Sequence, residues 1–193
     1  MVIGLTGGIG SGKSTVLKMF SSFKNIAIYI ADDEAKKLMN SSEEIKQKLI
    51  AEFGEKTYQN NILNRPFLAN IVFNNKKRLT KLNAIVHPVV HKHLDNFIKN
   101  NSNKLYILYE NAILFENNSH LFCDKIITVT CPENIRIERV IKRDNSSIND
   151  VKNRMKNQWK ESKKTLQSHY VIENIISKNT KAQVLNIHNI LTK

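Results

Sequence analysis

The chain has 193 residues, 41% apolar and 24% charged, enough for one well-packed core with an elaboration; 30 basic against 17 acidic residues leave a formal charge of +13. No run approaches the roughly 18 consecutive apolar residues of a membrane-spanning helix, and the N-terminal apolar run meets glycines too soon for a signal-peptide core, so a cytoplasmic protein is expected. Cys123 and Cys131 have neither the number nor the spacing of a disulfide framework or zinc site, and the positive charge is scattered rather than gathered into a dense basic run, so most of it reads as solvated surface and a nucleic-acid partner is not expected.

Val2 to Thr6 is a short apolar run ending in glycines, as expected for the buried first strand of a parallel sheet. A helix is predicted from Lys13, with Val16, Leu17, Phe20 and Phe23 as its inward stripe. Residues 25 to 31 read as a second strand that delivers Asp32 and Asp33 at its C-terminal end. From there to about residue 100 the pattern is helical, broken near Gly54 and Asn60-Asn61, with Pro66 and Pro88 each placed in the first turn of a helix. Leu105 to Tyr109 and Lys125 to Thr130 read as two more buried strands; residues 112 to 115 could extend the first of these runs as strand or turn, and Pro132 opens a helix. The alternation predicts an α/β fold: a parallel sheet whose ligands bind outside the C-terminal strand ends.

Gly7-Gly8-Ile9-Gly10-Ser11-Gly12-Lys13-Ser14 satisfies G-x-x-x-x-G-K-[ST] at every fixed position, between a predicted strand and a predicted helix. Five of the six glycines in the chain lie between positions 4 and 12, so backbone freedom is concentrated at this loop. The motif predicts nucleoside-triphosphate binding, with ATP the expected nucleotide, through Gly10, Ser11, Gly12, Lys13, Ser14 and Thr15: backbone N–H groups and the helix N-terminus surround the β-phosphate, Lys13 reaches toward the γ-phosphate, and the Ser14 hydroxyl holds magnesium (Mg2+). A guanine-specific N-K-x-D is missing at its nearest match, Asn75 to Arg78. The chain is short for a motor or helicase, which leaves a small-molecule kinase.

Beyond the loop, the strings resemble the dephospho-coenzyme A kinase family along nearly the whole chain. Ile3 to Thr15 looks like that family's phosphate loop, Ala31 to Lys36 resembles its D-A-D-x-x-A-[RK] segment, and Arg65, Leu68 and Phe73 resemble its R-x-x-L-x-x-x-x-F helix. Leu82 to Pro88 is similar to L-N-x-I-x-H-P, Leu114-Phe115-Glu116 to the end of P-L-L-F-E, Arg139, Arg143, Arg154 and Gln158 to lid positions, and Val171 to Asn174 to V-I-D-N. Departures fall at Ile30, Glu110, Ala112, His169 and Glu173. The resemblance implies a three-layer P-loop kinase fold over residues 1–193, with a helical acceptor-binding insertion at 33–100 and a lid at 133–165. It implies transfer of the ATP γ-phosphate to the ribose 3′-hydroxyl of dephospho-coenzyme A, the last step of coenzyme A biosynthesis. A nucleoside or nucleoside-monophosphate kinase is the alternative within the enzyme class, and a nucleic-acid-binding P-loop ATPase the alternative outside it.

Asp32 falls on the family's catalytic aspartate and, at a strand's C-terminal end, suits a general base for the acceptor hydroxyl; a helix N-cap is the structural alternative. Asp33 competes, but only the Asp32 register places Ala35 and Lys36. Lys13 is the second catalytic candidate. Glu110 suits a carboxylate reaching magnesium through water, or a satisfied strand end. Arg136, Arg139 and Arg143 at i, i+3 and i+7 share one helix face, and Arg139 and Arg143 are the expected lid contacts to phosphate, with a solvated charged face as the alternative. Arg65 and His87 are expected at the acceptor, although His87 equally suits a helix cap before Pro88. His87 and His91 lack the pattern of a metal site.

Overall fold

The computed structural model describes residues 1–72 and 75–193. Its strands and α-helices are β1 (Val2–Gly7), α1 (Lys13–Phe20), β2 (Ile26–Ile30), α2 (Ala31–Ser41), α3 (Glu43–Phe53), β3 (Tyr58–Gln59), β4 (Ile62–Leu63), α4 (Arg65–Val72), α5 (Lys76–Asn100), β5 (Tyr106–Glu110), β6 (Lys125–Thr130), α6 (Glu133–Asp144), α7 (Ile148–Lys156), α8 (Glu161–Leu166), β7 (Tyr170–Glu173) and α9 (Ser177–Leu191). They form two compact units, Met1–Tyr29 with Asn101–Lys193, and Ile30–Asn100.

The first unit is built on a five-stranded sheet in the order β2-β5-β1-β6-β7, with β1 paired in parallel to β5 and β6, and β6 to β7. Every residue of β1 and β5 is buried, which is why both read as uninterrupted apolar runs. Alternate side chains point to opposite faces. Ile3, Leu5, Tyr106, Leu108, Ile127 and Val129 therefore face the layer of α1 and α9, where Val16, Phe20, Val184 and Ile187 complete the core. On the other face, a side chain at Gly4 would collide with Leu114 and Cys123, so the turns after β5 pack tightly on the sheet. Residues 112 to 115 are turn and not a continuation of the strand. The chain leaves central β1 toward one edge and passes from β6 to the other, so direction changes beside β1, where ligands bind in open α/β sheets.

The second unit, Ile30–Asn100, packs α2 to α5 around Ile45, Leu49, Phe53, Leu68, Val86 and Val90. The break near Gly54 and Asn60-Asn61 is more than an interruption of helix: it holds the β3–β4 hairpin, turned by Asn60 and Asn61 at φ 50° and 64°. Pro66 lies in the first turn of α4 as expected, but Pro88 does not begin a helix. It sits inside the 25-residue α5, on the exposed side, while Val86, Val90 and Leu94 carry the buried stripe past it. Packing on that stripe outweighs the one backbone hydrogen bond a proline forfeits. His87 is consequently a mid-helix residue and caps nothing. Phe73 of the R-x-x-L-x-x-x-x-F string lies outside the described residues.

Candidate active site

The phosphate loop leaves β1 and enters α1 through Gly12, whose φ of 87° is a left-handed conformation that suits glycine. A Cβ there would also collide with Asn174 Nδ2. The loop is closed internally by Ser11 N–H donating to Gly8 O (3.1 Å) and by Thr15 and Val16 N–H donating to Gly12 O (3.0 and 3.2 Å). Lys13 Nζ donates to Gly7 O at 3.0 Å, spanning the loop from helix to strand. Ser14 and Thr15 are exposed on the first turn of α1.

Side chains from distant elements hold the rest of the loop. Gln158 Oε1 accepts the Ile9 N–H at 2.8 Å, Arg136 Nε donates to Ile9 O at 2.9 Å, and Asn174 Nδ2 donates to Ser11 O at 2.8 Å. Asn174 is itself held by the Thr180 hydroxyl, which donates to its Oδ1 at 3.2 Å. Arg136 pairs with Glu161 (Nη1–Oε2 3.4 Å), and burial pushes the Glu161 carboxyl up from its ordinary value against the pull of that guanidinium.

Three helices follow β6. Helix α7 begins with a capping box in which Ser147 Oγ accepts the Asp150 N–H and Asp150 reaches back to the Ser147 N–H. The junction of α7 and α8 is fastened to the turn after β5: Glu116 Oε1 accepts from Trp159 N–H and from the fully buried Lys164 ammonium, each at 2.8 Å, and Lys164 also donates to Ala112 O at 3.2 Å. Trp159 stacks on Phe115 with centroids 5.6 Å apart. Beside this junction opens a cleft of about 630 Å³ lined by Arg136, Lys152, Lys156, Gln158 and Lys160.

The three arginines of α6 share a face but not a fate. Arg136 is buried against the phosphate loop. Arg139 is half-buried, donates to Cys131 Sγ at 3.3 Å, and would lie 3.6 Å from a Cβ at Gly12. Arg143 is exposed and clamps Asp144 through two hydrogen bonds of 2.7 and 3.0 Å, while Arg154 joins the same carboxylate at 2.7 Å. Those two guanidiniums hold the Asp144 carboxyl far below the usual carboxylate range. The sequence pattern singled out Arg139 and Arg143; the structure sets Arg136 and Arg139 beside the loop and Arg143 in a surface ion pair. Arg136 and Glu161 were missed as loop supports, because helical spacing identifies a face but not what covers it.

Glu110 is buried at the end of β5, opposite Leu5 in register. Both cysteines are free thiols. In the second unit Asp32 is the second residue of α2 and exposed; Ile30 occupies the N-cap, so Asp32 is not the cap. Asp33 pairs with Lys36 at 3.0 Å. Arg65 opens α4 and is exposed, and His87 lies in α5, its ring 6.2 Å from that of His91. Burial lowers the pKa of both histidines. His169, where the family resemblance would have an aspartate, accepts the Ile126 N–H through Nδ1 at 3.2 Å.

A mostly parallel five-stranded sheet flanked by helices, with this loop at the end of its central strand, is the architecture of a P-loop kinase. Residues 1–179 match the model of the dephospho-CoA kinase family. A Fusobacterium nucleatum dephospho-CoA kinase is 35% identical across 90% of this chain and 89% of its own, and a Porphyromonas gingivalis dephospho-CoA kinase is 38% identical across 83% and 79%. A Thermus thermophilus protein of solved structure superposes with a TM-score of 0.88 at 28% identity, over 100% of this chain and 98% of its own. The chain belongs to the dephospho-CoA kinase family.

Proposed function

We propose that this protein is a dephospho-CoA kinase, which transfers the γ-phosphate of ATP to the ribose 3′-hydroxyl of dephospho-coenzyme A. The observation that carries the reading is a complete phosphate loop, braced by Arg136, Gln158 and Asn174, in a chain whose family match runs through the second unit and the lid as well. Phosphoryl transfer needs positioning and charge neutralisation more than covalent chemistry. The N–H groups of Gly10 to Thr15 and the α1 N-terminus would take the β-phosphate, Lys13 the oxygens between β and γ, and Arg139 would approach from the lid. Asp32, free of the ion pair that occupies Asp33, is assigned as the general base that orients the acceptor hydroxyl and takes its proton. Arg65 and His87 are assigned to the acceptor.

Among the described residues there is no group of three or more His, Cys, Asp or Glu able to hold a metal ion by itself. Magnesium keeps several waters and binds through one or two protein oxygens together with substrate phosphates, and the hydroxyl and carboxylate oxygens of Ser14 and Glu110 are donors of that kind. The exposed Ser14 hydroxyl would hold it, with Glu110 through water. The ion would neutralise phosphate charge during transfer.

The test is ADP release from ATP across a panel of acceptors: dephospho-coenzyme A, adenosine, AMP, CMP, shikimate and single-stranded RNA. Dephospho-coenzyme A is expected to be the preferred acceptor, with kcat/KM at least about tenfold above any other. Preference for a nucleoside or nucleotide would replace this reading, and RNA-stimulated ADP release without phosphorylated product would place the chain among nucleic-acid ATPases.

A further inference from the structure

The Ile9 residue, at the tip of the phosphate loop, is gripped from both sides. Its N–H is taken by Gln158 and its carbonyl by Arg136, and these come from different lid elements, the α7–α8 junction and α6. Gly8 and Gly10 leave the room for this: a Cβ at Gly8 would collide with the Arg136 guanidinium, and one at Gly10 would meet the Arg136 backbone carbonyl at 2.5 Å. The arginine is 7% exposed, so its charge sits in a medium that strengthens both its hydrogen bond to the loop and its attraction to Glu161.

A trans peptide points its carbonyl and the following N–H in opposite directions. Holding the Ile9 carbonyl against Arg136 therefore turns the Gly10 N–H away from Arg136. By the same geometry, Asn174 on Ser11 O sets the Gly12 N–H. Rotation of the Ile9–Gly10 peptide turns ψ of Ile9 and φ of Gly10, and Gly10, at φ 79°, is a glycine that resists such a turn little; the rotated peptide would present a carbonyl oxygen where a phosphate-binding N–H is required.

We propose that Arg136 is a positioning residue for the phosphate loop: paired with Glu161, it holds the Ile9 carbonyl outward so that the Gly10 N–H faces the nucleotide's β-phosphate. This rests on the reading of the loop as an ATP site. The arginine binds protein backbone and not substrate, in contrast to the phosphate contact assigned to Arg139.

The experiment is calorimetric titration with ADP and with ATP, together with amide hydrogen exchange at Ile9 and Gly10 in 15N-labelled protein, for Arg136→Met, Arg136→Lys and Glu161→Gln. Arg136→Met should weaken ADP and ATP alike, by about 10- to 100-fold, the scale of one hydrogen bond to a charged group, and should speed exchange at the Ile9 amide; Arg136→Lys should recover part of both. Glu161→Gln is the sharper variant. Charge attraction alone predicts that removing an acidic group beside the loop tightens ADP binding, whereas a positioning role predicts that ADP binds more weakly and the Ile9 amide exchanges faster. Loss of ATP affinity with ADP affinity intact would make Arg136 a direct γ-phosphate ligand and overturn the proposal, as would unchanged ADP affinity in Arg136→Met. Should Arg136→Met fail to fold, Glu161→Gln decides alone: unchanged or tighter ADP binding overturns it. ADP binding involves no acceptor, so a variant series that behaves as expected in a protein inactive on dephospho-coenzyme A would count against the proposed acceptor and leave this assignment standing.

Discussion

The phosphate loop and the start of α2 carry the two halves of the proposed reaction, and they are built in opposite ways. In the loop the working groups are backbone N–H groups whose peptides are clamped by Arg136, Gln158 and Asn174, each drawn from more than 120 residues along the chain. At α2 the working group is one exposed carboxylate, Asp32, on a helix whose acidic neighbours are occupied locally, Asp33 by Lys36 and Glu34 by Lys37. A site made of backbone tolerates changes of side chain outside its supports and fails when a support is lost. A site made of one side chain fails at that residue alone.

Asp32→Asn attacks the second kind of construction. It preserves size while removing the proton acceptor, and kcat should fall by roughly 10²- to 10⁴-fold, the scale of a general base. ATP affinity should stay within about twofold, and Asp33→Asn should change kcat far less, because Asp33 already serves Lys36. Steady-state kinetics on both variants checks the assignment; collapse in Asp33→Asn with survival of Asp32→Asn would transfer the role.

Lys13→Ala tests the first kind. Its charge is the side-chain contribution proposed for the loop toward the γ-phosphate, and kcat should fall by roughly 10²- to 10³-fold, the loss typical of one electrostatic contact to the transition state. Circular dichroism and Tm should stay native, since Lys13 lies outside the hydrophobic core and its 3.0 Å bond to Gly7 O lies within the loop. Native folding with undiminished turnover would remove Lys13 from the mechanism.

The smallest effect concerns acid. Burial lowers the pKa of His188, whose Nδ1 meets the Tyr106 hydroxyl at 2.8 Å in the first unit, and of His87 and His91 in the second. Each keeps its neutral form to lower pH in the folded state than in the unfolded chain, so below the ordinary histidine value of 6.5 the unfolded chain takes up protons that the folded one resists. Stability contributed by these groups is complete above that value and declines as pH falls through it. Tm at pH 7.5 and 5.5 should show the decline, and His188→Gln and His87→Gln should each make it shallower. A Tm that rises on acidification would contradict this accounting.

The loop and the strands around it were legible in the sequence because their signals are local: glycines at fixed spacing, and apolar runs in β1, β5 and β6 continuous enough to announce strands buried on both faces. The second unit was legible as helical, but Pro88 misled, since a proline's local preference for a first turn yields when the buried stripe of α5 continues through it. The β3–β4 hairpin was passed over because two-residue strands carry almost no periodicity, although Asn60-Asn61 was the available signal for its turn. The division of labour among Arg136, Arg139 and Arg143 was the least legible. It depends on which residues of α6 meet glycines some 125 positions away, and on Asp144 being at hand to occupy Arg143.

Lys164 has a consequence at the bench. In a chain covered with solvent-facing amines, this one is fully enclosed and bound to Glu116 and the Ala112 carbonyl. Amine-reactive reagents modify the exposed lysines of the native protein and can reach Lys164 only after the α7–α8 junction has come away from the turn behind β5. Its tryptic peptide thereby records detachment of that junction as a covalent mark.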